Sequence, residues 1–305
     1  MMSRLHTPPS LWTTLAITAA ATTLLAFHVY LESSLLLLGH DLRAGPAGGP
    51  SADERAAWRT EAPAGPALEY EHLAALAPAN NWTCVLLHGL GARHASDAYR
   101  LRTALLAARP ALFAPMAFVV PAAPIRPVAV FPGAPRPAWF DIRDWADPRR
   151  DEDVPSLRLN TQRLRHLLAR NGVDFSRTIV AGFSQGAVMA LLLGLTLDPP
   201  PAGIIMLSGY LPMPGDLGAL FGRKGGERRG TIVHWLHGAK DGYFPLPAAR
   251  RGFQQLQDLG LFAPENLAFS SMADLDHAWS AAELELLIRA SLDRFLPAPP
   301  TPPPA

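Results

Sequence analysis

The sequence predicts an α/β fold in which a mostly parallel sheet is covered by helices on both faces. Three observations support this prediction: short apolar runs recur along the chain, helical segments separate them, and glycine-containing turns follow several runs. The chain has 305 residues, 49% of them hydrophobic and 17% charged, which is enough for one large domain with a substantial core. Because reactive groups in such sheets gather at the carboxyl ends of the strands, functional residues are expected there.

The predicted strands and helices alternate through the middle and end of the chain. Strands are predicted at 83–87, 117–120, 178–180, 204–207, 232–236 and 267–270. Helices are predicted at 96–108, 157–170, 188–195, 248–259 and from a capping box at Ser280 to about residue 295. Residues 121–137 are dense in proline, which predicts a long functional loop, either an apolar substrate wall or a stiff surface flap.

The N-terminal part of the chain differs from this pattern. Residues 5–31 contain no Asp, Glu, Lys or Arg, and the stretch 11–29 approaches the roughly 20 residues that span a bilayer. We favour an uncleaved signal anchor within 1–38, forming a hydrophobic helix before the α/β domain. A cleaved signal peptide and a helix that packs on the domain are the alternatives.

Composition divides the remainder into three parts. Residues 39–67 are rich in Ala, Gly and Pro, which predicts a flexible linker. The α/β domain is predicted over residues 68–297, and a disordered proline-rich tail over residues 298–305. The protein is therefore expected at a membrane, on a side that the sequence leaves open, with a cytoplasmic or secreted protein as the alternatives.

A net charge of +1 gives no reason to expect a nucleic-acid partner. The single cysteine, Cys84, lies in an apolar run and predicts a buried packing thiol.

The segment Arg177–Thr196 carries the strongest functional signal. Apolar strand residues lead into Gly182-Phe183-Ser184-Gln185-Gly186, and a helical apolar run follows, so a G-x-S-x-G pattern falls at a strand-to-helix turn. The two glycines allow strand and helix to converge tightly. In this nucleophile elbow the Ser184 hydroxyl is expected at the top of the sheet. Backbone N–H groups of the helix N-terminus then face any negative charge that forms there.

Ser184 requires a base and an acid, because a serine hydroxyl is a poor nucleophile until a neighbour takes its proton. Folds with this elbow supply the triad in the order Ser, Asp or Glu, His. His277 follows the last predicted strand and Asp241 directly follows another, whereas His234 lies inside a strand and is interpreted as a core histidine. We predict Ser184 as nucleophile, His277 as general base and acid, and Asp241 as the group that holds the imidazole tautomer.

The tetrahedral intermediate of such a reaction carries an oxyanion that needs hydrogen-bond donors. The backbone N–H of Gln185, directly after the nucleophile, is one predicted donor. Leu90, in the glycine-containing loop after the strand at 83–87, is the predicted second donor. His88 in the same loop is interpreted as shaping the turn. No metal site and no organic cofactor are predicted.

Seen together, these segments resemble the acyl-protein thioesterase, lysophospholipase and carboxylesterase family of α/β-hydrolases, over about residues 82–297. The matching segments are LLHGLG (86–91), APIRPV (123–128), AWFDI (138–142), AGFSQG (181–186), LSGYLP (207–212), HGAKDGYFP (237–245) and DHAWS (276–280). The resemblance implies the α/β-hydrolase fold, the same triad and the same oxyanion donors. Departures from the family pattern are Ala92, Ala187 and the loss of one acid within 237–241, and none removes a triad residue.

The function implied by the resemblance is a serine hydrolase that cleaves acyl thioesters or esters through an acyl-enzyme, with S-palmitoylated protein as the favoured substrate. Lysophospholipase or small-ester carboxylesterase activity is the alternative, and an inactive membrane-tethered binding protein is a third possibility. Val128, Trp139 and Phe140 are expected to contact the acyl chain. The expected partner is an acylated protein or lipid ester, and the oligomeric state is left open.

Overall fold

A computed structural model describes residues 50–59, 65–77, 79–92, 94–222 and 230–280. The hydrophobic N-terminal helix, the final helix beyond residue 280 and the proline-rich tail, all predicted above, lie outside these ranges. Among the helices of the described residues, none has the length and apolar character needed to cross a bilayer.

A seven-stranded sheet forms the centre of the described chain, in the order β1-β3-β2-β6-β7-β8-β9. Within these ranges β1 pairs antiparallel with β3, and every other pairing in the sheet is parallel, which confirms the predicted sheet type. The edge strand β1 was not predicted, because its residues alternate only weakly in polarity. The strands are β1 Tyr70–Leu73, β2 Thr83–Leu87, β3 Ala117–Pro121, β6 Thr178–Phe183, β7 Gly203–Leu207, β8 Ile232–Gly238 and β9 Leu267–Met272.

Helices pack on both faces of this sheet. Alternate residues of β2 enter different cores: Val85 and Leu87 join the core under α4, α5 and α7, whereas Cys84 and Leu86 join the core under α2. Burial raises the pKa of the Cys84 thiol to about 12, as expected of a packing residue. The described helices are α1 Ala52–Ala57, α2 His94–Ala108, α3 Pro110–Phe113, α4 Val154–Arg170, α5 Gln185–Thr196, α6 Leu217–Phe221 and α7 Leu246–Asp258.

The proline-dense segment is a β-ribbon, so the prediction of a loop over 121–137 was wrong. Strands β4 (Ile125–Val128) and β5 (Phe131–Pro137) pair antiparallel in a two-stranded sheet of their own, and the register shifts between Arg126 and Val128, where Pro127 stands. Proline is excluded from the centre of a sheet because it lacks an N–H group, but it is tolerated at edges and bulges. In a two-stranded ribbon both strands are edges, so the prolines do not prevent pairing.

Part of the predicted flexible linker is folded onto the domain, which corrects that prediction for residues 51–58. Helix α1 begins at a capping box in which Ser51 Oγ accepts from the Glu54 N–H at 3.0 Å, and Glu54 Oε2 accepts from the Ser51 N–H at 2.7 Å. Trp58 directly follows the last residue of α1. It is 3% exposed, and its ring contacts the Phe221 ring edge-on at a centroid distance of 5.3 Å. The capping box and Trp58 were not recognised in the sequence, because the residues around them are mostly Ala, Gly and Pro.

We expect Trp58→Ala to lower the free energy of unfolding by about 3 kcal/mol, because the change removes a large buried ring and leaves a cavity. Urea denaturation of a chain beginning at Pro50 measures this effect. Leu76→Ala is the control, since Leu76 is 66% exposed and its truncation should change the unfolding free energy by less than about 0.5 kcal/mol. Equal stability of the two variants would show that α1 is not docked.

Candidate active site

Ser184 occupies the turn between β6 and α5, with φ of +56° and ψ of −120°. A positive φ is strained for a residue with a side chain and persists only where the surrounding structure enforces it. Here the Ser184 N–H donates to the Leu207 carbonyl at 2.9 Å, and the Ser184 carbonyl accepts from the Ala187 N–H at 3.0 Å. The strained corner is therefore fixed by the neighbouring strand β7 and by the first turn of α5.

The two glycines of the elbow have no room for a side chain. A Cβ atom on Gly182 would lie 2.0 Å from the Gly186 carbonyl oxygen, and one on Gly186 would lie 2.1 Å from the Leu87 carbonyl oxygen. Strand β6, helix α5 and the end of β2 thus approach one another more closely than any other residue type allows. The tight convergence predicted from the sequence is confirmed.

The structure brings Ser184, His277 and Asp241 together in the predicted order. His277 Nδ1 lies 2.8 Å from Asp241 Oδ2, and His277 Nε2 lies 2.9 Å from Ser184 Oγ. A carboxylate oxygen only accepts, so Nδ1–H donates to Asp241 and leaves Nε2 to accept the Ser184 proton. The imidazole is therefore held in the tautomer that a general base needs.

The Asp241 carboxylate is fully enclosed, with 0% of its side chain exposed. Its Oδ1 atom accepts from the backbone N–H groups of Tyr243, at 2.9 Å, and Phe244, at 2.8 Å. Hydrogen bonds of this kind offset much of the cost of burying a charge. They also fix the carboxylate orientation, so that Oδ2 faces His277.

His237 lies beside Asp241 but remains neutral. Its Nε2–H donates to the Phe244 carbonyl at 2.6 Å, and its Nδ1 accepts from the Trp235 indole N–H at 3.4 Å. Burial lowers the pKa of His237, which favours the neutral ring although Asp241 Oδ2 is 3.4 Å away. The Asp241 charge is consequently left to interact with His277.

Aromatic rings surround His277 on several sides. Its ring centroid lies 5.1 Å from that of Phe183, 5.0 Å from that of Tyr243 and 5.2 Å from that of Phe244. Tyr243 is 47% exposed and forms part of the rim. These ring contacts could not be predicted from the sequence, because they depend on loops that meet only in the folded protein.

An aromatic path leads away from this rim. The Tyr243 ring lies 4.9 Å from the Trp145 ring, which meets the Phe131 ring edge-on at 5.4 Å at the start of β5. The Arg136 guanidinium lies over the Phe131 ring, 4.3 Å from its centroid. The path joins the β-ribbon to the surroundings of His277 by an apolar surface.

The loop after β2 runs beside the nucleophile. A Cβ atom on Gly89 would lie 3.3 Å from the Ser184 Cβ. The backbone N–H groups of Leu90 and Gln185 donate to no acceptor within the part of the chain that the structure describes. The N–H of Gln185, the residue after Ser184, and the N–H of Leu90, the residue after Gly89, therefore remain available as donors, and their role as oxyanion donors stays a prediction.

Val128, Trp139 and Phe140 have almost no accessible side-chain surface, at 3%, 0% and 0% exposed. The Trp139 N–H donates to Gln185 Oε1 at 3.0 Å, and Gln185 Nε2–H donates to the Phe140 carbonyl at 2.8 Å. These residues thus support the site from within the core. Their predicted contact with substrate stays a prediction.

Within the described ranges, no cluster of three or more His, Cys, Asp or Glu side chains is arranged to hold a metal ion. His234, a buried histidine within β8, is 1% exposed, and its Nε2 atom lies 2.9 Å from Ser270 Oγ. Burial lowers its pKa to about 4. The interpretation of His234 as a core residue is confirmed.

Comparison with known proteins agrees with the fold and identifies the family. A model of the Phospholipase/Carboxylesterase family matches residues 69–292. Acyl-protein thioesterase 1 of Mycosarcoma maydis is 30% identical over 71% of this chain and 92% of its own length. Acyl-protein thioesterase 1 of Saccharomyces cerevisiae is 33% identical over 67% of this chain and 88% of its own. The crystal structure of Zea mays acyl-protein thioesterase 2 matches with a TM-score of 0.61 at 23% identity, over 74% of this chain and 99% of that chain, which shows the predicted α/β-hydrolase fold.

Glu152 is a titratable group behind the site. Its Oε2 atom accepts from the Met213 N–H at 2.9 Å. Burial, reinforced by the nearby Asp147, raises its pKa to about 7, against the lowering effect of the Met213 N–H and the Tyr210 hydroxyl. The Tyr210 ring in turn meets the Phe244 ring at 5.3 Å, so Glu152 is connected by packing to the loop that holds Asp241.

We expect Glu152→Gln to flatten the dependence of stability on pH between about 5 and 7. In that window the folded protein keeps a proton on Glu152 that the unfolded chain, with a pKa near 4.5, has released. Stability of the parent protein should therefore receive a contribution that falls as pH rises, with a slope of up to about 1.4 kcal/mol per pH unit. Urea denaturation at several pH values measures the difference between parent and variant.

The control for this measurement is Asp274→Asn. Asp274 is exposed, and its hydrogen bond to Lys240 lowers its pKa, so it is ionised throughout this window in both the folded and unfolded states. Its replacement should leave the slope unchanged. If the slope of unfolding free energy against pH is the same in Glu152→Gln as in the parent protein, the raised pKa does not belong to Glu152.

Proposed function

The chain belongs to the Phospholipase/Carboxylesterase family of α/β-hydrolases, and from that membership we propose that Ser184, His277 and Asp241 carry out its reaction. The protein is a serine hydrolase of acyl thioesters or esters. The observation that supports these three residues is the pair of hydrogen bonds, 2.9 Å and 2.8 Å long, that joins hydroxyl, imidazole and carboxylate.

In the proposed mechanism, Ser184 Oγ attacks the acyl carbonyl carbon while His277 Nε2 takes the hydroxyl proton. The carbonyl oxygen becomes an oxyanion and accepts hydrogen bonds from the N–H groups of Leu90 and Gln185. One such donor typically contributes about 2.7–4 kcal/mol to lowering the barrier. Asp241 keeps the imidazole oriented and stabilises the imidazolium that forms.

The tetrahedral intermediate then collapses, and the bond from carbon to the leaving sulfur or oxygen breaks. His277 gives its proton to the departing thiolate or alkoxide, which leaves an acyl ester on Ser184. A water molecule next loses a proton to His277 and attacks this ester. The second intermediate collapses to a fatty acid and the free Ser184 hydroxyl, which recovers the proton from His277.

The favoured substrate is a protein carrying an S-linked long-chain acyl group, such as palmitate. The two curated relatives are acyl-protein thioesterases, and they support this choice directly. The aromatic path from Tyr243 through Trp145 to Phe131 begins beside His277 and offers apolar rings that suit an acyl chain. Lysophospholipids and small carboxylic esters are the alternative, because the family description includes phospholipase and carboxylesterase activity.

Variants of the triad test the residue assignment. Ser184→Ala should lower kcat by on the order of 10⁶-fold, and Asp241→Asn by about 10⁴-fold because the imidazole tautomer is no longer fixed. Hydrolysis of a p-nitrophenyl ester measures both effects, and a fluorophosphonate probe should label the parent protein but not Ser184→Ala. Asp274→Asn, at an exposed carboxylate, should retain full activity. A parent protein that neither hydrolyses esters nor reacts with the probe would favour an inactive binding protein.

A substrate panel distinguishes the two substrate classes. We expect kcat/KM for an S-palmitoylated peptide to exceed that for lysophosphatidylcholine and for a short p-nitrophenyl ester by about tenfold or more, since discrimination requires extra contacts with the preferred substrate. The matched oxygen-ester peptide separates thioester preference from recognition of the peptide. Faster turnover of the lysophospholipid would assign the protein to the alternative class.

The N-terminal segment is proposed to attach the catalytic domain to a membrane. Support for this comes from the absence of charged residues in 5–31, a stretch outside the described ranges. The full chain should stay with membranes after alkaline carbonate extraction, whereas a chain beginning at Pro50 should be released. Complete release of the full chain would contradict the proposal. Residues 81–83, Asn-Trp-Thr, form an N-glycosylation sequon with Asn81 exposed. Glycosylation at Asn81 would report the side of the membrane, because only a lumenal domain would be modified there.

A further inference from the structure

Trp139 is held by hydrogen bonds to residues from three different parts of the fold. Its N–H donates to Gln185 Oε1 at 3.0 Å, and its carbonyl accepts from Asn160 Nδ2. Its indole N–H donates to the His88 carbonyl at 2.9 Å. All four side chains are at most 2% exposed, so these bonds are shielded from water.

The His88 end of this network reaches the loop that carries Leu90. His88 Nε2 accepts from the Ala123 N–H at 3.0 Å, so its Nδ1 carries the proton and donates to the Gly89 carbonyl at 2.8 Å. Both ring nitrogens and the carbonyl of His88 are thereby engaged. The backbone directly before Leu90 is consequently fixed in one conformation.

The Gln185 end reaches the nucleophile elbow. Gln185 offers its backbone N–H beside Ser184, while its carboxamide binds the peptide groups of Trp139 and Phe140. One residue thus combines an oxyanion donor on its backbone with a support on its side chain.

A side-chain connection between the two donor-bearing segments adds to the packing of Gly186 against Leu87, because the backbone pairing of the sheet does not reach either donor. Backbone pairing between β2 and β6 ends at Leu87 and Gly182, before either Leu90 or Gln185 is reached. Beyond that point, the path from the Gln185 carboxamide through Trp139 to the His88 carbonyl links the two segments. An oxyanion site depends on preorganised donors, and a displacement of about 1 Å can lower the rate about 10²-fold.

We propose that the Gln185 carboxamide and the Trp139 indole are positioning residues that set the distance between the two oxyanion donors. The proposal rests on the proposed function of Ser184, Leu90 and Gln185. It assigns to the Gln185 side chain, and to a tryptophan with no accessible surface, a role in transition-state stabilisation that involves no contact with substrate.

Two substitutions remove parts of this link. Gln185→Met keeps the length of the side chain but loses both hydrogen bonds, and Trp139→Phe keeps an aromatic ring but loses the bond to His88. Each should lower kcat for a p-nitrophenyl ester by about 10- to 100-fold, with KM within about threefold. The inhibition constant of a trifluoromethyl ketone, whose Ser184 adduct carries an oxyanion, should rise by the same factor as kcat/KM falls.

The matched control is Gln162→Met. Gln162 is 6% exposed, and its carboxamide donates to the Ala57 carbonyl on α1, so its loss also removes a buried hydrogen bond from a glutamine. It should lower the melting temperature but leave kcat and the inhibition constant unchanged. If Gln185→Met and Trp139→Phe behave like Gln162→Met in both kinetic measurements, the proposal is overturned.

The double variant adds an independent test. Because both substitutions interrupt one path through Trp139, the double variant should lose about as much activity as the more damaging single variant. Multiplication of the two losses would show that the groups act separately and would overturn the shared link. If Gln185→Met does not fold, Gln185→Glu replaces it, since a carboxylate still accepts from Trp139 but repels the Phe140 carbonyl. The same rise in inhibition constant is then required.

Labelling of Ser184 by a fluorophosphonate separates this proposal from the one on which it rests. An unlabelled parent protein would overturn the proposed function. A labelled parent, together with unchanged inhibitor affinity in the Gln185 and Trp139 variants, would overturn only the positioning role.

Discussion

The hydrogen bonds from one imidazole to a hydroxyl and a carboxylate are the constraint on which the rest of this structure depends. They require the ends of β6, β8 and β9 to meet within a few ångströms, although Ser184 and His277 are 93 positions apart in the chain. Parallel strands provide this convergence, because their carboxyl ends lie along one edge of the sheet. The cost is a strained backbone at Ser184 and a buried charge at Asp241. Hydrogen bonds to β7 and α5 hold the Ser184 backbone, and the N–H groups of Tyr243 and Phe244 bind the Asp241 carboxylate.

The loop that carries His277 depends on a further close approach. A Cβ atom on Gly238 would lie 2.2 Å from the Asp276 carbonyl oxygen. Only glycine at the end of β8 therefore leaves room for the backbone of Asp276, the residue before His277. Backbone bonds of 2.8 Å from Ala239 to Met272 and from Lys240 to Leu275 fix the two loops against each other. The positions of the acid and the base are therefore set together, largely by main-chain contacts, which makes the geometry insensitive to the surface side chains around it.

The triad could be predicted from the sequence because its members follow strands, and strand ends are visible as boundaries of apolar runs. The elbow glycines were equally predictable from their spacing around Ser184. The β-ribbon and α1 were missed, since proline and Ala/Gly/Pro composition are local signals that tertiary packing overrode. The Gln185 carboxamide and the Tyr243 ring could not be assigned at all, because their partners lie on distant segments. Trp139 was recognised by its motif, but its burial, which makes it a support, depends on how the loop folds over α4 and α5.

In the proposed reaction the acyl group passes through an ester on Ser184, and this ester can be trapped. Turnover of a radiolabelled acyl thioester would be quenched in acid within the first enzyme cycles, and the labelled peptide identified by mass spectrometry. The acyl group should be found on the peptide containing Ser184, in an amount that approaches one per active enzyme if deacylation is slow. Thioester hydrolysis that continues in Ser184→Ala, or an acyl group attached to another residue in the parent protein, would contradict it.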